Sequence, residues 1–152
     1  MQEEENEDMK KNVSKTPRGI RLNNPCNIRH GQGRFIGEME HSKDNEFRQF
    51  KTMFYGIRAA LHLLIKTYYY LHRLRTVRGI INRWAPPNEN NTQAYINAMC
   101  KEVGLKPDEY IEMSEDFWIR FLDAMIYIEN GVRVERWVIE AVVKTYYHQF
   151  KY

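Results

Sequence analysis

Three glutamates in this chain stand where a carboxyl group could do chemistry. Glu129 closes an apolar helical stretch and is followed by Asn130-Gly131. A carboxyl there is partly desolvated and close to the negative end of the helix dipole, and both effects raise its pKa toward the range of a general acid. The plain alternative is a surface glutamate ahead of a glycine cap. Against that, Lys or Arg would suit a helix C-terminus better. Glu89 lies in Asn88-Glu89-Asn90-Asn91-Thr92 and could act as a second carboxylate across a cleft or orient a sugar hydroxyl. It could equally serve the electrostatics of the helix that follows. Glu38, in a presumed strand, is the least distinctive of the three, since solvent-facing strand positions often carry Glu.

Around these acids sit residues suited to holding a polyhydroxylated ligand. The stretch at 80–95, IINRWAPPNENNTQAY, places Trp84, Asn90, Thr92 and Tyr95 around a Pro-Pro turn. An aromatic plate, a carboxylate and several amides on a rigid rim are the groups a carbohydrate site uses. Trp84 could instead pack as core. Asn23, Asn24 and Asn27, in GIRLNNPCNIRHGQG at 19–33, could bind acetamido or hydroxyl groups. They could also hold their own loop by side chain to backbone bonds.

The elements that position these groups follow from spacing and caps. RFIGEME and EFRQF, separated by HSKDN, predict a small β-hairpin with Phe35, Phe47 and Phe50 on its buried side. Ile57, Leu61, Leu64, Ile65, Tyr68 and Leu71 recur at three and four, which predicts a helix over about 55–74. Thr76 caps a short second helix that Pro86 and Pro87 stop. Asn91 or Thr92 caps a third, which ends at Gly104. Ser114, with Glu115 and Asp116 in the first turn, opens a fourth that ends at Gly131, and a fifth covers about 135–150. The fold class is mainly α (α+β): about five helices with one hairpin near the N-terminus.

The chain has 152 residues, 43% of them hydrophobic, enough for one domain with a real core. Residues 1–17 read as a disordered polar tail and 18–152 as a single domain. Residues 1–9 hold five acids and no Lys or Arg, so the rest is more basic than the net +3 of the whole. A basic body suits an anionic partner such as a wall polymer, a membrane surface or a nucleic acid. Nucleic acid is the least favoured, because the arginines of RLRTVRGIINR fall on several faces. No apolar run approaches the ~18 residues of a membrane span, and no signal peptide is visible. Synthesis in the cytoplasm, with virion association or release to the wall by a non-Sec route, is the expectation. Cys26 and Cys100 read as free thiols, and the scattered histidines suggest no metal site. No Ser/His/Asp, phosphate-loop or dinucleotide pattern is present.

GIRLNNPCNIR resembles the G-I-R-N-N-N-P-x-N-I opening of a family of phage and prophage proteins. IINRWAPPNENNTQAYI resembles that family's W-A-P-P-x-E-N-[DN]-T-x-x-Y segment, and YGIRA at 55–59 and IENG at 128–131 fit in order. Leu22 and Cys26 depart from the pattern, standing where Asn and Gly are common. Proteins of this family are described as virion structural or tail-associated proteins, or as lysozyme-like peptidoglycan-cleaving domains. The resemblance implies a lysozyme-like domain acting on the glycan strand as a muramidase or lytic transglycosylase, without a cofactor. It places motif positions at Asn23, Asn24, Pro25, Asn27, Trp84, Glu89, Asn90, Thr92, Tyr95 and Glu129. A virion structural or assembly protein without turnover, contacting other virion proteins, is the alternative.

Overall fold

In the computed structural model, residues 15–88 and 90–151 are described. Most of the expected tail, and Glu89, lie outside them. The described chain is mainly α-helical. It comprises a single-turn helix α1 (Arg18–Arg21), α2 (Met53–His62) running on as a π-helix (Leu63–Leu71), α3 (Val77–Trp84), α4 (Thr92–Val103), α5 (Glu115–Asn130) and α6 (Arg136–Phe150).

The helix starts are set by side-chain caps that satisfy first-turn amides. Thr76 Oγ1 accepts from the Gly79 N–H at 3.0 Å, Asn91 Oδ1 from the Ala94 N–H at 3.2 Å, and Ser114 Oγ from the Phe117 N–H at 3.0 Å. Gly104 and Gly131 end α4 and α5 in the left-handed region, at φ 72° and 74°. A residue with a Cβ resists that conformation.

Helix α5 forms the axis of the core. Phe117, Trp118, Ile119, Phe121, Leu122, Ala124, Met125 and Ile126 are all buried, so the helix is covered on nearly every side. It packs on α4, α6 and the start of α2, and α1 sits against it as well. Its last turn, carrying Glu129 and Asn130, emerges beside the loop that follows α1.

Two expectations need correction. The hairpin does not form, and no strand occurs among the described residues. Residues 46–51 instead make single antiparallel bridges to two segments, Arg29 with Phe47 and Glu38 with Phe50. Side chains take over where a ladder would continue. Asp44 Oδ2 accepts from the Glu46 and Phe47 amides, and Ser42 Oγ donates to the Phe47 carbonyl. Such local bonds compete directly with sheet pairing. Glu38, expected to face solvent, is instead an almost buried partner of Arg48.

The second correction concerns the helix expected over 55–74. Its latter part winds as a π-helix, whose i→i+5 bonds bring side chains five apart closer to one face. In an α-helix those positions would differ by about 140°. Leu63 and Tyr68 therefore share one surface, while Leu64 and Tyr69 are buried together. Leu71, expected inside, is turned out to solvent and is 72% exposed.

Candidate functional site

Three segments distant in sequence meet at the end of α5. From the first, Asn27 Nδ2 donates to Glu129 Oε1 at 3.0 Å. From α4, the Tyr95 hydroxyl donates to Glu129 Oε2 at 2.9 Å. Beside Glu129, Asn130 Nδ2 donates back to the Pro25 carbonyl at 2.7 Å and to the Ile126 carbonyl at 2.8 Å. These contacts tie positions about a hundred residues apart into one cluster.

Backbone geometry makes this approach possible. Asn23 and Asn27 both hold positive φ, at 52° and 54°, in the left-handed region that Asn tolerates better than most residues. Gly19 leaves room for the loop: a Cβ there would lie 2.6 Å from Asn27 Oδ1 and 2.7 Å from Asn130 Oδ1. At the start of α2, a Cβ on Gly56 would overlap the Asn23 carbonyl oxygen.

The Glu129 carboxyl is half-buried, and burial is the main force on its pKa, raising it above the usual glutamate range. The donors on Asn27 and Tyr95 and the nearby Arg29 pull the other way without cancelling the rise. Tyr95 is buried, and its phenol is pushed well up by desolvation first and the Glu129 charge second. The fully buried Cys26 thiol is likewise pushed well up by burial and then by Glu129. Both groups therefore hold their protons more firmly than usual, and Glu129 is the most acidic group of the cluster.

In front of the cluster lies an open cleft of about 500 Å³, lined by Asn27, Ile28, Arg29, Gln32, Phe35, Arg48, Leu63, Tyr68, Arg83, Trp84 and Pro86. Trp84 stands edge-on to Tyr68 with ring centroids 5.7 Å apart, which gives the cleft an aromatic wall. Arg48 braces the opposite loop by donating to the carbonyls of Arg29 at 2.9 Å, Gly33 at 3.0 Å and Gln32 at 3.3 Å, and to Glu38 Oε1 at 2.5 Å. Glu129 itself stands behind Asn27, which forms the border between carboxyl and cleft.

The structure separates the expected site residues into groups. Glu129, Asn27 and Tyr95 come together, and Trp84 lines the adjoining cleft. Asn24 is fully buried and committed to the backbone: Nδ2 donates to the carbonyls of Ile28 at 2.9 Å and Arg48 at 2.8 Å, and Oδ1 accepts from the Ile28 N–H at 2.9 Å. Asn23 Nδ2 similarly donates to the Phe50 carbonyl at 3.2 Å. Thr92 is buried and donates to the Ala85 carbonyl at 2.6 Å, closing the Pro-Pro loop, while exposed Asn90 donates to the Pro86 carbonyl at 3.3 Å. These four serve the loops, and Glu89 lies outside the described residues. Sequence reasoning passed over Asn130, Gln32, Tyr68, Arg29, Arg48 and Arg83. Asn130 was visible beside Glu129, whereas Tyr68 enters the cleft only through the π register.

No protein-family model matches the chain. Protein P5 of Pseudoalteromonas phage PM2 is 37% identical to it over 122 residues, covering 78% of this chain and 74% of that protein. The chain belongs to the family of that phage protein. The family therefore includes a phage protein, and a phage context is consistent with this likeness. No helix among the described residues is long and apolar enough to cross a membrane.

Proposed function

We propose that this phage-family protein is a lysozyme-like domain that binds the glycan strand of peptidoglycan in the cleft. It cleaves the β-1,4 bond between N-acetylmuramic acid and N-acetylglucosamine, with Glu129 as the acid. The observation that carries the reading is the convergence of three remote segments on one half-buried carboxyl, beside a cleft walled by Trp84 and Tyr68. In this reading, substrate oxygen takes the place of Asn27 on Oε1. Glu129 then donates its proton to the glycosidic oxygen as the bond to the muramic C1 breaks, and N-acetylglucosamine leaves with a free 4-hydroxyl.

A hydrolase would next need a second carboxylate to activate water or to attack, set about 5–9.5 Å from the first. Among the described residues no Asp or Glu lines the cleft, and Glu38 is held by Arg48. This favours the lytic transglycosylase route. There the Glu129 carboxylate takes the proton of the muramic 6-hydroxyl, whose oxygen closes on C1 to give a 1,6-anhydro end. Glu89 is the candidate that would turn the reaction into hydrolysis.

A second reading, a virion assembly protein without turnover, draws on the fact that both Glu129 oxygens already accept a bond from within the protein. Digestion of purified peptidoglycan by wild type, Glu129→Gln and Glu89→Gln, followed by mass spectrometry, separates these. The expected result is anhydro-muramic ends from wild type and Glu89→Gln, and none from folded Glu129→Gln. Reducing muramic ends that vanish in Glu89→Gln would establish a hydrolase. Absence of product from folded wild type on several wall types would overturn the cleavage reading and favour the assembly reading.

A further inference from the structure

A second recess, of about 230 Å³, adjoins the cleft and is lined by Gln32, Gly33, Arg34, Phe35, Ile36, Arg58 and His62. Gln32 and Phe35 border both spaces. Arg58 is unusual among the charged residues here. It is only 6% exposed, yet it makes no ion pair with a described residue, and its buried Nε has no hydrogen-bond partner. The rings of Tyr146 and Phe150 cover the guanidinium at 4.5 and 5.3 Å. Those faces attract the charge but cannot accept its in-plane N–H bonds. A buried cation without an anion among the described residues is costly, so this arrangement is poised for a counter-charge.

We propose that the recess is a binding site for a small oxyanion, a carboxylate or phosphate group, held by Arg58 with His62 and Arg34. The planar guanidinium fork matches two oxygens of such a group. His62 lies one turn beyond Arg58 on α2, and its ring packs edge-on to Phe35 at 5.9 Å and stacks on Phe150 at 5.0 Å, which fixes its orientation. Among the described lining residues none is acidic, and Glu38, whose carboxylate accepts from the Phe35 N–H, is already paired with Arg48. The site stands independently of Glu129 chemistry. Because Phe35 and Gln32 are shared with the cleft, an anionic substituent on a ligand in the cleft can also reach it.

The test follows the backbone amide resonances of Gln32, Gly33, Arg34, Phe35 and Ile36, which both wild type and Arg58→Met retain, together with the Arg58 Nε–H in wild type, on the full isotope-labelled chain while sodium phosphate, and separately sodium acetate, is added against a chloride control of equal ionic strength. A saturable shift with at least one of them is expected, and Arg58→Met should weaken that binding by about ten- to a hundredfold, as loss of a charge-assisted hydrogen bond does. Saturation by phosphate alone assigns a phosphate group, by acetate alone a carboxylate, and by both a general oxyanion site. No saturable shift in wild type, or equal affinity in folded Arg58→Met, overturns the proposal. Should Arg58→Met fail to fold, the wild-type titration decides, with Arg34→Gln expected to weaken it.

Discussion

Asn24→Ala tests whether the Asn-rich loop is scaffold or ligand site. The side chain is fully buried and holds three bonds. On its removal the Ile28 carbonyl keeps the Arg48 N–H at 3.0 Å, but the Ile28 N–H and the Arg48 carbonyl lose the bonds Asn24 gave them. Each buried backbone group left unmet costs about 1–3 kcal/mol, so the variant should lose about 2–6 kcal/mol. For a domain of this size that lowers the melting temperature by roughly 5–20 °C. Differential scanning calorimetry measures it, and Asn24→Asp is the companion: it keeps the volume but turns a carboxylate toward two carbonyls, and should also destabilise. A melting point within about 2 °C of wild type, together with lost glycan binding, would refute the reasoning and return Asn24 to the ligand.

Arg48→Met should destabilise by about 3–5 kcal/mol, because it strands the nearly buried Glu38 carboxylate. Adding Glu38→Leu should recover much of that loss in urea unfolding; a double variant no better than the single would show that the carbonyl contacts of Arg48 dominate. Glu129 gives stability a pH dependence, since burial raises its folded pKa above that of the unfolded chain. The native state then holds a proton that the unfolded chain has released, so this contribution is full below the ordinary glutamate range and is lost as pH rises through it to the folded value. Unfolding midpoints of wild type relative to Glu129→Gln should fall across that window, and a flat difference would show that Glu129 is not desolvated in solution.

The sequence announced the helices well because their ends are local chemistry. Thr76, Asn91 and Ser114 cap as their residue types predict, and Gly104 and Gly131 take the left-handed turns expected of them. Glu129 was legible for the same reason: it interrupts an apolar helix at the end where an acid is least expected. What stayed hidden depends on partners far along the chain. Asn24 and Thr92 have the types of ligand-binding residues, but their bonds go to loop carbonyls. The spacing of Leu61, Leu64, Ile65 and Tyr68 fits an α-helix, so it could not announce the π register that carries Tyr68 to the cleft. The hairpin failed as an expectation because Ser42 and Asp44, taken as turn residues, satisfy amides and carbonyls that a ladder would otherwise pair.

The surroundings of Glu129 also include Cys26, a departure from the motif pattern. Cys26 is fully buried, and its thiol is close enough to Glu129 for the carboxylate charge to push its pKa upward. A thiol kept protonated is neither a nucleophile nor a counter-charge; it is a small apolar wall. A glycine at that position would remove a buried apolar side chain from this part of the core, and a carboxyl that is less desolvated ionises more easily. With the buried Cys26 nearby the neighbourhood of Glu129 stays poor in polar groups, while Asn27 and Tyr95 hold its two oxygens in place. Burial raises the pKa and the donors hold the orientation. The acid role proposed for Glu129 needs both, and in that proposal Asn27, which bonds Oε1 and lines the cleft, gives way to the recipient of the proton.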